Sequence, residues 1–544
     1  MKKVFGIDLG TTYSCIAYVD EYGKASVITN EDNEPVTPSV VYFETAENVP
    51  VGKIAKESLA TDPSNVCSAV KRQMGNSDWF IEAHGVQYRA EEISALILKK
   101  LAKDASAKLG EPVEDVVITC PAYFGMAERH ATAEAGKIAG LNVKAIINEP
   151  TAAAISYSLD KAEKPETVLV YDLGGGTFDV TIIQVVPDKS ITVVATDGNH
   201  NLGGKDWDEA IRGYLIEQFN QETGVTEDIY DDPETMGDLE LQSEKAKIAL
   251  SRKDTTKVKV NFKGSSATIE LTKGKFEYLT RGLLDSTISF IHNVLTESAK
   301  KGINSFDKIL MVGGSTYMPQ VKNRLAAEFP NVPIEVHEPN ESVAKGAAMY
   351  GINMAIFEKL TENPEMTIEE ITTNPEINPF IDYATGLAKP PVLVDTTNVI
   401  SKSFGVRLVV DDIGTVKCVN VVTKNTKLPV EVTLPAGTQV ADQRTINLVV
   451  FENEVSQGDG GGKDKNEVDL KICTLLGEKP LDGLPAGLPA GSPVDVIFKI
   501  NSEGTLNVEA WEKAGGNRIQ MSFEIKGAID TEKGKAKIAD LRVM

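Results

Sequence analysis

Two short stretches of the chain carry the same residue types in the same order. The first reads Phe5-Gly6-Ile7-Asp8-Leu9-Gly10-Thr11-Thr12, the second Tyr171-Asp172-Leu173-Gly174-Gly175-Gly176-Thr177. Each is a short apolar strand that ends in an aspartate, turns through glycine and threonine, and continues into a β-branched strand. Glycine lets a turn adopt positive φ and approach a ligand closely, while threonine hydroxyls add donors. Successive N–H groups in such a turn form a nest for an anion, and a carboxylate is a hard oxygen ligand for a divalent cation. A single Asp-Leu-Gly is as readily a plain hairpin. Two copies argue for a clamp that grips a polyphosphate and its metal from both sides.

The elements around the two loops also recur. After the first loop come short β runs (Ser26 to Thr29, Ser39 to Phe43), then Glu91 to Leu109, whose apolar Ile93, Leu96, Ile97 and Leu101 have helical spacing. Val116 to Thr119 reads as a buried strand, Glu128 to Ala139 as a helix, and Ala145-Ile146-Ile147 as a strand entering Asn148-Glu149-Pro150-Thr151 and an alanine-rich helix. After the second loop the order repeats. Strands are followed by helices over Trp207 to Phe219 and Phe276 to Ser298, then Lys308 to Val312 enters Gly313-Gly314-Ser315-Thr316. Ile334-Glu335-Val336 leads to Glu338-Pro339-Asn340 and a second alanine-rich helix, Ala344 to Phe357. A duplicated α/β unit follows from that order.

From about Thr361 to Lys389 the pattern breaks into Asn, Pro, Glu and Thr, read as an insertion or ordered linker, and Pro390 to Asp395 has no room for a helix. Beyond Ser401 the texture is all-β. Runs over Val406 to Val410, Thr415 to Val422, Val430 to Leu434, Thr445 to Phe451, Val468 to Thr474, Val494 to Ile500, Leu506 to Trp511 and Ile519 to Ile525 are separated by turn clusters. That spacing favours a sandwich or barrel. Gly458 to Lys463 and the repeat Gly483 to Gly491 read as turn or flexible segments, and the residues from Lys526 have room for one short helix.

At 544 residues the chain is too long for one core. A net charge of −23 argues against nucleic-acid binding, which depends on basic patches. Acidic stretches such as Glu227 to Glu240 read as solvated surface. Cys15, Cys67, Cys120, Cys418 and Cys473 contain no C-x-x-C pair, a pattern that suits a reducing compartment. His84, His130, His200, His292 and His337 have no metal-ligand spacing. With no signal-peptide core or membrane-length apolar run, the expectation is a cytoplasmic protein with no membrane partner. Gly198 to Lys205 is not a P-loop, because Asp206 stands where Ser or Thr should follow and an extra glycine breaks the spacing.

Taken in order, Ile7 to Ser14, Val70-Lys71-Arg72, Pro121 to Phe124, Asn148 to Ala154, Asp172 to Asp179, Leu202-Gly203-Gly204 and Gly313 to Thr316 resemble the nucleotide-binding motifs of the heat shock protein 70 chaperones. That family lies within the actin-like ATPase superfamily. The match covers roughly 1–357, and Gly504 to Val508 resembles the family's peptide-binding β-sandwich. The resemblance implies an actin-like, ribonuclease H-like α/β ATPase domain over 1–360, an insertion and linker over 361–398, a β-sandwich over 399–527 and a short tail over 528–544 without a full helical lid.

It also implies roles. Asp8 and Asp172 would hold Mg²⁺ mostly through water. Gly10, Thr11, Thr12 and Tyr13 would cradle the phosphates of ATP or ADP on one side, and Gly174, Gly175, Gly176 and Thr177 on the other. Lys71 resembles the family's catalytic lysine, Glu149 the carboxylate that positions water or metal, and Asp179 a residue that tunes the site. Gly203, Gly204, Glu244, Lys247, Ser251, Gly313, Gly314 and Ser315 would form the adenosine pocket. Pro121 and Arg129 would relay nucleotide state. Ile248, Tyr317 and Asn340 depart from the pattern, the first two where many members carry arginines that stack on adenine.

The expected activity is ATP hydrolysis that switches binding of unfolded or extended polypeptide, by a monomer, with J-domain and nucleotide-exchange partners. The loop Gly437 to Asp442 is the candidate groove rim. Alternatives are an actin-like scaffold or switch for a folded partner, and a small-molecule kinase of the same superfamily. A kinase needs a carboxylate aimed at a substrate hydroxyl and a sugar-specific loop. A filament former has little use for a C-terminal β-domain.

Overall fold

The computed structural model describes residues 3–20, 23–161, 164–186, 190–363, 365–367, 370, 395–411, 413–455, 466–501, 506–513, 516, 518–522 and 529–544. The expected insertion at 361–389 is largely outside them, and Pro390 to Val394, Gly458 to Lys463 and Gly504-Thr505 are wholly outside.

Two sheets repeat one topology. In the first lobe Asn142–Asn148, Asp115–Cys120 and Val4–Asp8 run parallel, and Tyr13–Val19 and Ala25–Val27 continue antiparallel, with Thr37–Pro38 also paired to Tyr13–Val19. In the second lobe Ile334–Val336, Lys308–Val312 and Glu166–Leu173 run parallel, followed antiparallel by Phe178–Val186 and Ser190–Asn199. The recurrence seen in the sequence is therefore a duplicated fold. Both Asp-Gly-Thr loops occupy the same place, the hairpin after the central parallel strand. The central strands are apolar and buried through their middle, as in Val168 to Tyr171, because helices cover both faces.

The alanine-rich helices, Glu149–Lys161 and Ser342–Glu362, lie between the lobes. A Cβ on Gly346 would sit 1.8 Å from the Ala152 carbonyl, and one on Gly6 2.1 Å from the Ala348 nitrogen. Small residues let backbones touch here, which explains why both helices are rich in alanine.

Two elements escape the sequence reading. Pro233–Leu250 is a helix capped by Asp232, and it buries Leu239, Leu241, Ala246 and Leu250, so much of the acidic stretch is a packed element and not bare surface. Thr255–Phe262 and Ser265–Thr272 form a hairpin with every second residue buried.

The C-terminal strands make two facing sheets. One orders Glu467–Val468, Val416–Val422, Ser403–Val409, Thr445–Asn453 and Thr474–Asp482; the other orders Val430–Gly437, Pro493–Ile500, Leu506–Glu512 and Arg518–Ser522. Phe404, Val450, Phe498 and Val508 fill the core between them. The run expected as a strand over Val468 to Thr474 is broken by a 3₁₀ turn at Leu470–Ile472. The Gly-Leu-Pro-Ala repeat is a set of turns with positive φ at Gly483, Gly487 and Gly491, pinned because Leu484 and Leu488 are buried. After the sandwich, helix Thr531–Ala539 and strand Arg542–Val543 return to the first lobe, where the strand pairs with Asn48–Val49. Among the described residues, no helix is long and apolar enough to cross a membrane.

Candidate functional site

The two loops face each other across the cleft. A Cβ on Gly175 would lie 1.9 Å from the Thr12 hydroxyl, and one on Gly176 2.3 Å from Thr11 Cγ2. Glycine is obligatory at that approach. The third wall is the N-terminus of helix Gly204–Thr223, whose Gly204 and Lys205 amides donate to the Gly174 and Gly175 carbonyls at 3.0 and 2.8 Å. Ser315 Oγ donates to the Gly174 carbonyl at 2.8 Å, and a Cβ on Gly313 (φ 82°) would strike Asp172 Oδ1. Thr11, Thr12, Gly174 to Gly176, Gly203, Gly204, Gly313 and Ser315 thus converge on one cleft.

Carboxylates line the floor. Asp8 and Asp172 end equivalent strands, and Asp179 is directly across the hairpin from Asp172. Lys71 sits among them, 5% exposed, with its ammonium 2.5 Å from Glu149 Oε1. It follows Ala69, whose left-handed φ of 56° is a strained conformation for a residue with a side chain. Burial pushes the Asp8 carboxyl up to about 7, with Glu149 adding and Lys71 opposing. Burial, then Glu149, also holds Asp172 and Asp179 well above the usual carboxylate range. Burial would lower the Lys71 ammonium, but Glu149 and Asp8 outweigh it and raise the pKa above the ordinary lysine value. The pocket thus holds more acid than base, which suits a cation.

Three buried atoms support that fit. Thr11 Oγ1, Thr12 Oγ1 and Asp179 Oδ1 have no hydrogen-bond partner among the described residues. Such groups cost free energy unless something satisfies them. Donor hydroxyls opposite amide-rich loops suit phosphate oxygens. A hard divalent cation suits Asp8 and Asp172. No group of three His, Cys, Asp or Glu is set to ligate a metal among the described residues, so a cation here would keep most of its waters.

The outer pocket is built from the second lobe. Glu244 accepts from Tyr13 Oη at 3.1 Å and pairs with Lys56; Lys247 pairs with Asp208 at 2.8 Å and donates to the Gly204 carbonyl; Ser251 Oγ donates to the Lys247 carbonyl. Ile248 and Tyr317 are 47% and 55% exposed, and Asn340 stands against Gly314. Sequence reasoning did not single out Arg72, which donates to the Gly176 carbonyl at 2.7 Å and pairs with Asp206. It also missed Lys205, which pairs with Glu240 on its own lobe and reaches Ser68 across the cleft, and Thr119, which donates to Asp8. The signal for Arg72 was its place beside Lys71; the others have none that is local.

Pro121 is buried where strand Asp115–Cys120 turns, and Arg129 Nε donates to the Phe124 carbonyl at 3.0 Å while its Nη2 bonds Asn148, next to Glu149. The same Phe124 carbonyl accepts from Ser401 Oγ of the β-sandwich at 3.0 Å. Beside it Lys402 bridges Glu128 at 3.1 Å and Glu452 at 3.2 Å. On the second lobe Asp395–Thr397 adds in parallel to Ser190–Asn199, Lys424 pairs with Asp197 at 2.7 Å, and the Thr196 amide donates to Asn425 Oδ1 at 2.9 Å. Hydrogen bonds therefore run from the acid cluster to the sandwich.

A family model described as Hsp70 protein matches residues 4–375. Over 551 aligned residues the chain is 36% identical to the chaperone protein DnaK of Thermotoga neapolitana, covering 99% of this chain and 84% of that relative. It is 34% identical to the chaperone protein DnaK of Anaplasma marginale over 566 residues, covering 99% of this chain and 79% of that relative.

Proposed function

The chain belongs to the Hsp70 family, and we propose that its two loops are the jaws of one Mg²⁺-ATP clamp whose closure controls the β-sandwich. It is an ATP-dependent chaperone and an ATPase. The family binds ATP or ADP with Mg²⁺. The residue roles below are our reading for this chain.

Thr11, Thr12 and Tyr13 hold the β- and γ-phosphates from the first lobe, and Gly174 to Thr177 from the second. Asp8 and Asp172 would hold Mg²⁺, which would supply charge neutralisation at the phosphates. Lys71 orients the attacking water and stabilises charge on the transferring phosphoryl, while Glu149 fixes Lys71 and positions that water. Asp179 tunes the field of the site. Gly203, Gly204, Glu244, Lys247, Ser251, Gly313, Gly314 and Ser315 surround the adenosine, with Tyr317 offering a π face at the rim.

One observation carries the reading: two unpartnered buried hydroxyls, Thr11 Oγ1 and Thr12 Oγ1, lie between loops that only glycine lets meet. Thr177→Ala and Asp172→Asn should each slow hydrolysis at least a hundredfold while nucleotide still binds. Unchanged Mg²⁺-dependent turnover in both would refute the site.

Closure would rotate the lobes about the packed alanine helices, and the Arg129–Phe124–Ser401 bonds would pass that motion to the sandwich. Its clients are polypeptides, unfolded or extended in our reading. Val409, Ile413 and Val416 are exposed around one hairpin tip, with Ile413 90% exposed, and Val440 is exposed on the candidate rim loop. Such apolar exposure suits side chains of an extended client. J-domain and nucleotide-exchange partners, a monomeric state and a cytoplasmic location complete the proposal.

A further inference from the structure

Two of the five thiols meet in the β-sandwich. Cys418 lies on strand Val416–Val422 and is fully buried; Cys473 follows the 3₁₀ turn Leu470–Ile472 and is partly exposed. Backbone pairing brings them together. Strand Glu467–Val468 runs along Val416–Val422 so that Val468 faces Cys418, and Cys473 Sγ donates to the carbonyl of the next residue, Asp469, at 3.3 Å. The turn itself is fixed: Asp469 accepts from the Lys471 amide, and the Cys473 amide donates to the Leu470 carbonyl at 3.2 Å.

Side chains hold both sulfurs in place. Asn420 and Asn453 exchange buried amide hydrogen bonds at 2.7 and 3.2 Å. Asn453 Nδ2 also donates to Cys418 Sγ at 3.9 Å and bonds Cys473. Gly405 leaves room for the Cys418 sulfur, since a Cβ there would lie 2.7 Å from it. The Cys418 thiol hydrogen-bonds to the Cys473 sulfur. Burial, then Cys473, pushes the Cys418 thiol well up, while at Cys473 the bonds from Cys418 and Asn453 work against burial. Cys473 is thus the sulfur that water reaches and the easier one to deprotonate. Cys15, Cys67 and Cys120 are packed in the hydrophobic cores of the ATPase domain.

We propose that Cys418 and Cys473 are a reversible dithiol that hydrogen peroxide closes to a disulfide. The Cys473 sulfur attacks one peroxide oxygen and the O–O bond breaks. The thiol proton leaves with the other oxygen as water, and Cys473 becomes a sulfenic acid. The Cys418 sulfur then attacks the sulfenic sulfur, the S–O bond breaks, and hydroxide departs with the Cys418 proton as a second water. The two thiols lose two electrons and one peroxide takes them up. A reducing dithiol reopens the bond by exchange. Transient disulfides of this kind register oxidant in a reducing compartment. Closed, the bond ties the turn Leu470–Ile472 to the strand that begins at exposed Val416, and stiffens that edge of the sheet.

The test treats the full chain with hydrogen peroxide, unfolds it, alkylates the remaining thiols and maps the peptides by mass. A linked Cys418–Cys473 peptide should appear before any change at Cys15, Cys67 or Cys120, and dithiothreitol should cleave it. In Cys418→Ser a sulfenic acid should persist at Cys473, where dimedone traps it, and Cys473→Ser should keep Cys418 reduced. The Asn420 amide donates to the Asn466 carbonyl at 2.8 Å beside the pair. Its hydrogen exchange should slow at least tenfold when the wild-type chain is oxidised, and stay unchanged in Cys473→Ser. Peroxide-treated wild-type protein with both residues still open to alkylation, or with Cys473 carried to the sulfinic acid beside a free Cys418, overturns the dithiol. Unchanged Asn420 exchange in protein that carries the linked peptide overturns the stiffening.

Discussion

Replacing Lys71 by methionine tests the electrostatics of the cleft at its centre. Its ammonium is buried, 2.5 Å from Glu149, and also within the field of Asp8, Asp172 and Asp179. Removing one partner of a buried pair leaves an uncompensated charge and costs ~3–5 kcal/mol. Here Glu149 loses its counter-ion, so the nucleotide-free protein should be destabilised within that range. Mg²⁺-ADP should restore much of the loss, since the ion supplies positive charge beside Asp8 and Asp172. Hydrolysis should not recover: losing one preorganised charge-stabilising group costs ~10²–10³-fold in kcat. Urea unfolding of the first lobe with and without Mg²⁺-ADP, beside single-turnover hydrolysis, measures both. Lys71→Met with Glu149→Gln should be more stable than Lys71→Met alone while remaining inactive. A Lys71→Met protein with wild-type turnover, or one no less stable without nucleotide, would refute the reasoning.

Three further outcomes follow from the same geometry. The Asp8 carboxyl titrates near 7 in the fold against an ordinary 3.8, so the stability of its protonated form is complete below about 3.8 and lost as pH rises through about 7. Mg²⁺-ADP binding should therefore release a proton when titrated calorimetrically near pH 6, less near pH 8, and not at this site in Asp8→Asn. Gly175→Ala places a methyl 1.9 Å from the Thr12 hydroxyl and should weaken ATP binding at least tenfold with circular dichroism unchanged. Tyr317→Ala should weaken ADP binding about tenfold, the worth of one lost ring contact at ~1 kcal/mol or slightly more, and leave kcat unchanged.

The two facing loops were legible because their pattern is local: each aspartate, its glycines and threonines lie within one turn, and the pattern occurs twice. The sandwich was legible because its strands alternate, as in Pro493–Ile500, where every second residue is buried. The helix Pro233–Leu250 was hidden because its buried residues do not share one face: Leu239 packs in the second lobe's core, while Leu241, two residues on, lines the cleft beside Thr11 and Leu59. Long-range partners left no trace. Lys205 reaches Ser68 only after the lobes meet, and Arg542–Val543 finds Asn48–Val49 across almost the entire chain. A two-residue strand has no periodicity to read. The segment after Lys526 was legible as one short helix, but its docking depends on a lobe core assembled from distant residues.

The central claim is that the clamp at Asp8 to Thr12 and Asp172 to Thr177 drives the β-sandwich. The rate at which the full chain releases a labelled unfolded peptide, measured with ATP and again with ADP, tests it most directly. The account predicts release at least tenfold faster in one nucleotide state, and no such difference in Asp172→Asn. Equal rates in ATP and ADP for the wild-type chain would contradict it.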